Sequence, residues 1–245
     1  MLAGTGRVDE FLAHAATLDD FDTEAVTLPD AEILQATFEI RIDGRQISLP
    51  PGLHPTNPPT FVAQLWRCGD SPWGPFALAQ ARIGSRSGLR PRGFVQGCVC
   101  DNDAAADALR RRWGFPVQRG SVVVRRQYDA TYAAVTVGGR QVCEITALDP
   151  DPLGPDDVSY STAANLANTP RGLRLVQVDI DFAIQRAERV KPRLSHFDGP
   201  RWGVHASVVP YHPVSASTAV GAITIQRLRY VSKADELAFT STEVL

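Results

Sequence analysis

Four polar residues interrupt apolar runs in places where chemistry could be done. Gln64 sits in "FVAQLW", Gln80 in "ALAQARI", Gln96 in "GFVQGCV" and Glu144 in "VCEIT". On a strand each either faces water or lines an interior cavity, and three glutamines in similar apolar settings predict at least one at a cavity wall. An amide there can donate to a developing enolate oxygen, and a glutamate whose pKa is raised by burial can shuttle a proton. Arg67, Arg82 and Arg119 offer forked donors that match a carboxylate. His54 and His212 each precede a proline, in "LHP" and "YHP", where a turn role competes with that of a base.

Other reactive groups are scarce. Lys191 and Lys233 are the only lysines among 25 cationic side chains, so amine catalysis has just those positions. The cysteines are Cys68, Cys98, Cys100 and Cys143, with no Cys-x-x-Cys pair, so a zinc site is not expected. Cys98 and Cys100 lie two apart and would share one face of a strand, which predicts buried free thiols in a reducing, cytoplasmic setting. GxGxxG, Walker A and GxSxG are absent. No cofactor and no metal is expected.

The net charge of −2, with arginines spread along the chain, supplies no field to draw it onto nucleic acid or an anionic membrane. No stretch approaches the ~20 apolar residues of a helical membrane span. The start, "MLAGTGRVDEF", lacks a basic region followed by an apolar core, which predicts no secretory signal.

The elements that must position these residues are mostly strands. Phe38, Ile40 and Ile42 alternate with Glu39, Arg41 and Asp43, and Asp43-Gly44 reads as a hairpin turn. "PPGLHPTNPPT" holds five prolines in eleven residues and must be an irregular connection. Strands are then expected at "TFVAQLWRC", "FALAQARIGS", "GFVQGCVCD", "SVVVRRQYD", "YAAVTVGG" and "RQVCEITALD". One helix interrupts them at "NDAAADALRRRWG", with Asn102 or Asp103 as its start cap, Gly114 as its end and cations in its last turn. After Pro155 the pattern loosens, then returns in "LRLVQVDIDFA" and "STAVGAITIQRLRYV". Residues 1–35 read as an N-terminal extension or helix and 36–245 as a β core, within one domain spanning 1–245. About ten strands with no βαβ alternation predict a mainly β (α+β) fold of curved antiparallel sheets.

Several segments together resemble the acetoacetate decarboxylase family. In order they are "LPPGLHPTNPP", "GPFALAQARI", "DNDAAADALRRRWGFPVQRG" and "PVSASTAVGAITIQRLRYV", spanning about residues 45–232. The family has a Pro-Pro-Gly-Leu-like loop, a Gly-Pro-Tyr-x-Glu strand start, a short helix running into Gly-Tyr/Phe-Pro-Lys, and a serine-rich final strand. The resemblance implies a cone-like double β-barrel with one short helix before the active-site turn and an interior cavity. It also implies homo-oligomers built from dimers.

The family's lysine, which forms a Schiff base with a β-keto acid, falls on Val117, and its neighbour falls on Gln118. The family's glutamate falls on Leu78. With both groups replaced, iminium decarboxylation is not expected. Two functions remain open. One is a cofactor-free enzyme acting on a carbonyl-containing metabolite by dehydration, cyclisation, tautomerisation or non-Schiff-base decarboxylation, as in natural-product pathways. The other is a binding or structural protein with a degenerate site. For the enzyme, the catalytic candidates are Gln118, Arg119 and Glu144. The substrate-binding candidates are Gln64, Arg67, Leu78, Gln80, Gln96, Trp113, Phe115 and Val117. The partner would be a small carbonyl or carboxylate ligand. An open cavity with converging polar groups would favour the enzyme, and a filled one the binding protein.

Overall fold

Alternating side chains commit most of the chain to strands. The structure, a computed structural model, describes residues 3–235 and 242–245. A short helix, α1 (Val8–Leu12), precedes β1 (Ala16–Thr17) and the long β2 (Val26–Ile40). Next come α2 (Gly44–Ile47), β3 (His54–Pro55), β4 (Thr60–Cys68), β5 (Phe76–Ser87) and β6 (Arg90–Cys100). The longest helix, α3 (Asp103–Trp113), leads to β7 (Val117–Arg119), β8 (Ser121–Gln127), β9 (Ala130–Val137) and β10 (Arg140–Leu153). A 3-10 turn at Pro155–Asp157 precedes β11 (Thr162–Thr169), β12 (Gly172–Val178) and β13 (Ile180–Phe197). After α4 (Gly199–Trp202) come β14 (Pro210–Ile225), β15 (Tyr230–Ser232) and β16 (Glu243–Val244).

All these strands join one 16-stranded mixed sheet. Its hydrogen-bonded path runs β16-β15-β12-β11-β6-β5-β4-β2-β14-β13-β10-β9-β8, with β1, β3 and β7 attached to its side. Pairing is antiparallel except where β11 meets β1 and β6, and where β6 meets β7. The path does not close on itself among the described residues, so the expected antiparallel sheets are one open mixed sheet.

Both faces of the central strands are covered. On one, Trp66, Leu78, Cys98 and Val117 pack with Leu109 and Trp113 of α3, Tyr160 and Val176. On the other, Ala63, Leu65, Ala77 and Ala79 pack with Val122, Val135 and Ile145 of the β8–β10 end, and with Trp202. This double covering is why β5 is buried without alternation from Phe76 to Ser85.

The helix before the critical turn follows its sequence closely. Asn102 Oδ1 accepts from Ala105 N at 3.1 Å, which caps α3. Gly114 ends it with φ +70°, in the left-handed region that favours glycine, and a Cβ there would meet Ala167 Cβ at 2.9 Å. Trp113 is fully buried, and its Nε1 donates to Gln226 O at 2.9 Å.

Two local expectations are corrected. Asp43-Gly44 makes no hairpin: the Asp43 carboxylate accepts from Gly44 N at 3.0 Å and starts α2. The strand pattern read from residue 36 begins earlier, at Val26. α1 is held to the core by His205, whose Nε2 lies 3.0 Å from Glu10 Oε2 and whose Nδ1 lies 2.7 Å from Ser207 Oγ.

Candidate active site

Residues paired directly across neighbouring strands share one face of a sheet. Arg189 of β13 pairs with Ser217 of β14, and Ser217 with Gln35 of β2. Gln35 pairs with Gln64 of β4, and Gln64 with Gln80 of β5. Gln80 pairs with Cys98 of β6, and Cys98 with Val117 of β7. A single transverse row thus joins the turn after α3 to the far half of the sheet. On the same face, Arg82 lies two residues beyond Gln80 on one side of the row and Trp66 two residues beyond Gln64 on the other.

The two ends of this row differ. At the α3 end, Val117, Cys98, Leu78 and Trp66 are buried in close-packed core. At the β14 end the row opens on a cavity of ≈ 1000 Å³ whose walls include Gln35, Tyr160, Arg189, Lys191, Ser215 and Ser217. Tyr160 OH lies 3.0 Å from Ser217 Oγ, and its ring meets Phe182 edge-on at 5.1 Å.

Between the ends lies a buried polar unit. Gln64 Nε2 donates to Gln35 Oε1 at 2.8 Å, and Trp66 Nε1 donates to Gln64 Oε1 at 3.1 Å. Arg82 is 0% exposed, and its Nε and Nη2 donate to Gln80 Oε1 at 3.1 and 2.6 Å. Its Nη1 donates to Ser161 O at 2.9 Å. Every one of these acceptors is neutral, and Arg82 forms no ion pair among the described residues. Gln80 Nε2, equally buried, has no partner among the described residues.

Burial lowers the Arg82 pKa to about 10, which leaves it charged at neutral pH. Burial also holds the Cys98 thiol well above its ordinary pKa, with Cys100 adding to the effect and Arg82 opposing it. Tyr160 is pushed up to about 12, again by burial, so it is a proton donor at neutral pH. The face therefore offers hydrogen-bond donors and a cation, with no thiolate or phenolate. Among the described residues no His, Cys, Asp and Glu side chains cluster to hold a metal ion.

Of the residues singled out from the sequence, Gln64, Leu78, Gln80 and Val117 come together on this face, with Trp113 and Phe115 in the same core. Others lie elsewhere. Arg67 points to the opposite face, half exposed and ion-paired with Glu32. Gln96 sits at a bulge in β6, where its amide clasps Ser48 O and His205 N. Gln118 alternates away from Val117 and donates to Trp202 O at 3.1 Å. Arg119 reaches solvent and pairs with Asp103 at 3.0 Å.

Glu144 lies on β10, away from the row. A proton-shuttling role needs its pKa raised by burial, but hydrogen bonds from Ser195, then Gln141 and Tyr132, lower it. His54 is buried in β3 and His212 exposed on β14. Gln35, Ser217 and Tyr160 were not anticipated. Gln35 carried the same signal as the other glutamines, an amide within the apolar run "ILQATF". Tyr160 follows the weakly patterned stretch after Pro155 and carried none.

Comparison with known proteins bears on this frame. The acetoacetate decarboxylase family model matches residues 16–233. No curated protein sequence matches the chain. An acetoacetate decarboxylase from Legionella pneumophila is similar in structure, with a TM-score of 0.74 at 18% identity over 84% of this chain and 86% of that one. The enduracididine biosynthesis enzyme MppR complexed with pyruvate gives 0.68 at 20% identity, over 84% and 90%. An acetoacetate decarboxylase-like enzyme from Sphingomonas wittichii RW1 gives 0.65 at 14% identity, over 84% and 92%. At these identities the likeness to solved structures speaks for the fold.

Proposed function

Because this chain belongs to the acetoacetate decarboxylase family, we propose that it is an enzyme acting on a carbonyl-containing small molecule at the polar row, without an iminium intermediate. The observation that carries this reading is the buried donor set on the row's face: Gln80 Nε2 without a partner beside a cationic Arg82. Donors held in a dry interior hold an oxygen that carries or gains negative charge, on the carbonyl or on an adjoining carboxylate. That suits chemistry through an enolate: tautomerisation, dehydration, cyclisation or decarboxylation without a Schiff base.

Neither lysine favours the alternative. Lys191 stands at the exposed rim of the cavity with its amine 2.9 Å from Asp149 Oδ2, and Lys233 follows β15 at the surface. Val117 occupies the turn where the resemblance places the reactive amine. In this proposal the enzyme works without a cofactor, in the cytoplasm, as a dimer-based homo-oligomer. In the same proposal the sheet curls around the row as a cone-like double barrel. Similarity to MppR supports a role in secondary metabolism.

A second reading, a binding protein without turnover, draws on the packed Val117 end, where Val117, Leu78 and Cys98 are ordinary core. One experiment addresses both. The protein is incubated with acetoacetate, pyruvate or phenylpyruvate, with and without borohydride, while carbonyl absorbance and CO2 release are followed. Turnover of one compound that Gln80→Leu abolishes, with no reduced adduct, is the expected result. A borohydride adduct mapped to Lys191 or Lys233 sinks the iminium-free mechanism. Saturable binding with no turnover selects the second reading.

A further inference from the structure

A guanidinium buried without an acid is an unusual thing for a protein to keep. Removing it from water is costly, and neutral acceptors recover only part of that cost. Arg82 has three such bonds, to Gln80 Oε1 twice and to Ser161 O. The neighbouring amide nitrogen, Gln80 Nε2, is buried with no acceptor. Cys98 cannot supply the missing charge, because burial keeps it a neutral thiol. A cation and an idle donor therefore lie side by side, and both are completed by one anionic oxygen pair.

One chain segment links them to the cavity's lining. Ser161, whose carbonyl covers Arg82, directly follows Tyr160, which lines the ≈ 1000 Å³ cavity. Residues 158–161 thus join the cavity's lining to the guanidinium. The cavity itself is far larger than a four-carbon acid needs, and much of its lining is apolar: Leu153, Val158, Tyr160, Val190, Val214 and Ala216. We propose that Arg82 and Gln80 form the anchor for the carboxylate of an amphipathic acid, which takes the place of the Ser161 carbonyl, while its apolar body lies in the cavity along Tyr160. This rests on the reading of the row's face as the ligand site and adds the class of ligand. Planar bidentate pairing with a guanidinium gives the carboxylate its orientation.

Three probes separate the anchor from the carbonyl chemistry: phenylpyruvate carries both groups, phenylacetone only the ketone, and 3-phenylpropanoate only the acid. Binding is measured by calorimetry on the full chain. Both acids are expected to bind about 100-fold more tightly than phenylacetone, the worth of a buried charged hydrogen-bond pair. Arg82→Met is expected to bring the acids down to the level of the ketone, and Gln80→Leu to weaken them by about 10-fold.

Should Arg82→Met fail to fold, hydrogen exchange on the wild type supplies the second measurement. The acids, and not the ketone, change exchange across residues 158–161. Equal binding of acid and ketone, or acid binding that survives Arg82→Met, or no change across 158–161, overturns the anchor. Phenylacetone binding with no preference for acids overturns the anchor and leaves the carbonyl reading standing. Acid binding with no turnover of phenylpyruvate leaves the anchor standing and overturns the carbonyl reading. No binding of any probe overturns both.

Discussion

Arg82 and Arg92 are buried on adjacent strands, 0% and 1% exposed, and both reach toward β11. Arg92 has its charge answered by the protein, although its Nε has no partner among the described residues. Its Nη1 lies 2.8 Å from both Asp179 Oδ1 and Thr162 Oγ1, and its Nη2 donates to Gln177 Oε1 at 3.1 Å. Arg82 meets only neutral oxygens. The same residue type at the same depth is a structural tie in one place and an unanswered charge in the other. The difference teaches that burial alone does not mark function; what marks it is burial whose electrostatic cost the fold leaves unbalanced.

The largest expected effect breaks the comparison at its satisfied end. Arg92→Met strands a partly buried Asp179 and should cost about 3 kcal/mol in urea unfolding. Arg82→Met removes a charge that lacks a partner and should stay within about 1 kcal/mol of wild type. Equal losses would mean that Arg82 is a structural tie too.

The next prediction supplies what Arg82 lacks. Gln80→Glu places a carboxylate against the guanidinium, which should stabilise the protein by about 1–2 kcal/mol and abolish binding of phenylpyruvate. A destabilised variant that still binds the acid would show that the Arg82 charge is already balanced.

A third prediction uses pH. The Arg82 pKa in the folded state, about 10, lies below its ordinary value, so the buried charge weighs against folding below that pH and is relieved as pH rises through it. An anion binds the protonated form. Acid affinity should therefore be flat up to pH about 10 and fall about 10-fold per unit above it, while phenylacetone affinity does not change. A fall centred near neutrality would point to another group.

Much of this frame was legible in the sequence, for reasons that are local. The start cap of α3 at Asn102 and its glycine end at Gly114 are set by short-range hydrogen bonds and backbone sterics, and they formed as read. β4 was bounded correctly at Thr60–Cys68 by turn residues on either side. β13 was mostly missed because its solvent-facing positions are charged and its outer half alternates weakly.

The site was legible only in part. Polar residues within apolar strands could be read off one strand at a time, so Gln64 and Gln80 could be named, but register between strands is a tertiary fact. Nothing in "ILQATF" or "STAVGA" says that Gln35 stands beside Gln64 and Ser217 beside Gln35. The resemblance drew attention to Gln118 and Arg119 because they follow Val117 in the chain, whereas strand alternation turns Gln118 to the other face and the end of β7 leaves Arg119 in water.

The smallest effects sharpen that last contrast. Gln118→Ala loses the tie to Trp202 O, a neutral hydrogen bond that fixes the turn after α4 against β7, and should cost about 1 kcal/mol. Arg119→Ala loses a surface ion pair with Asp103, both partners more than half exposed, and should change stability by less than about 0.5 kcal/mol. Neither should alter binding of phenylpyruvate, because neither side chain touches the face that carries Gln80 and Arg82. A binding loss of about 10-fold in Arg119→Ala, at unchanged stability, would return the site to the Val117 end of the row and leave Arg82 without its assigned ligand.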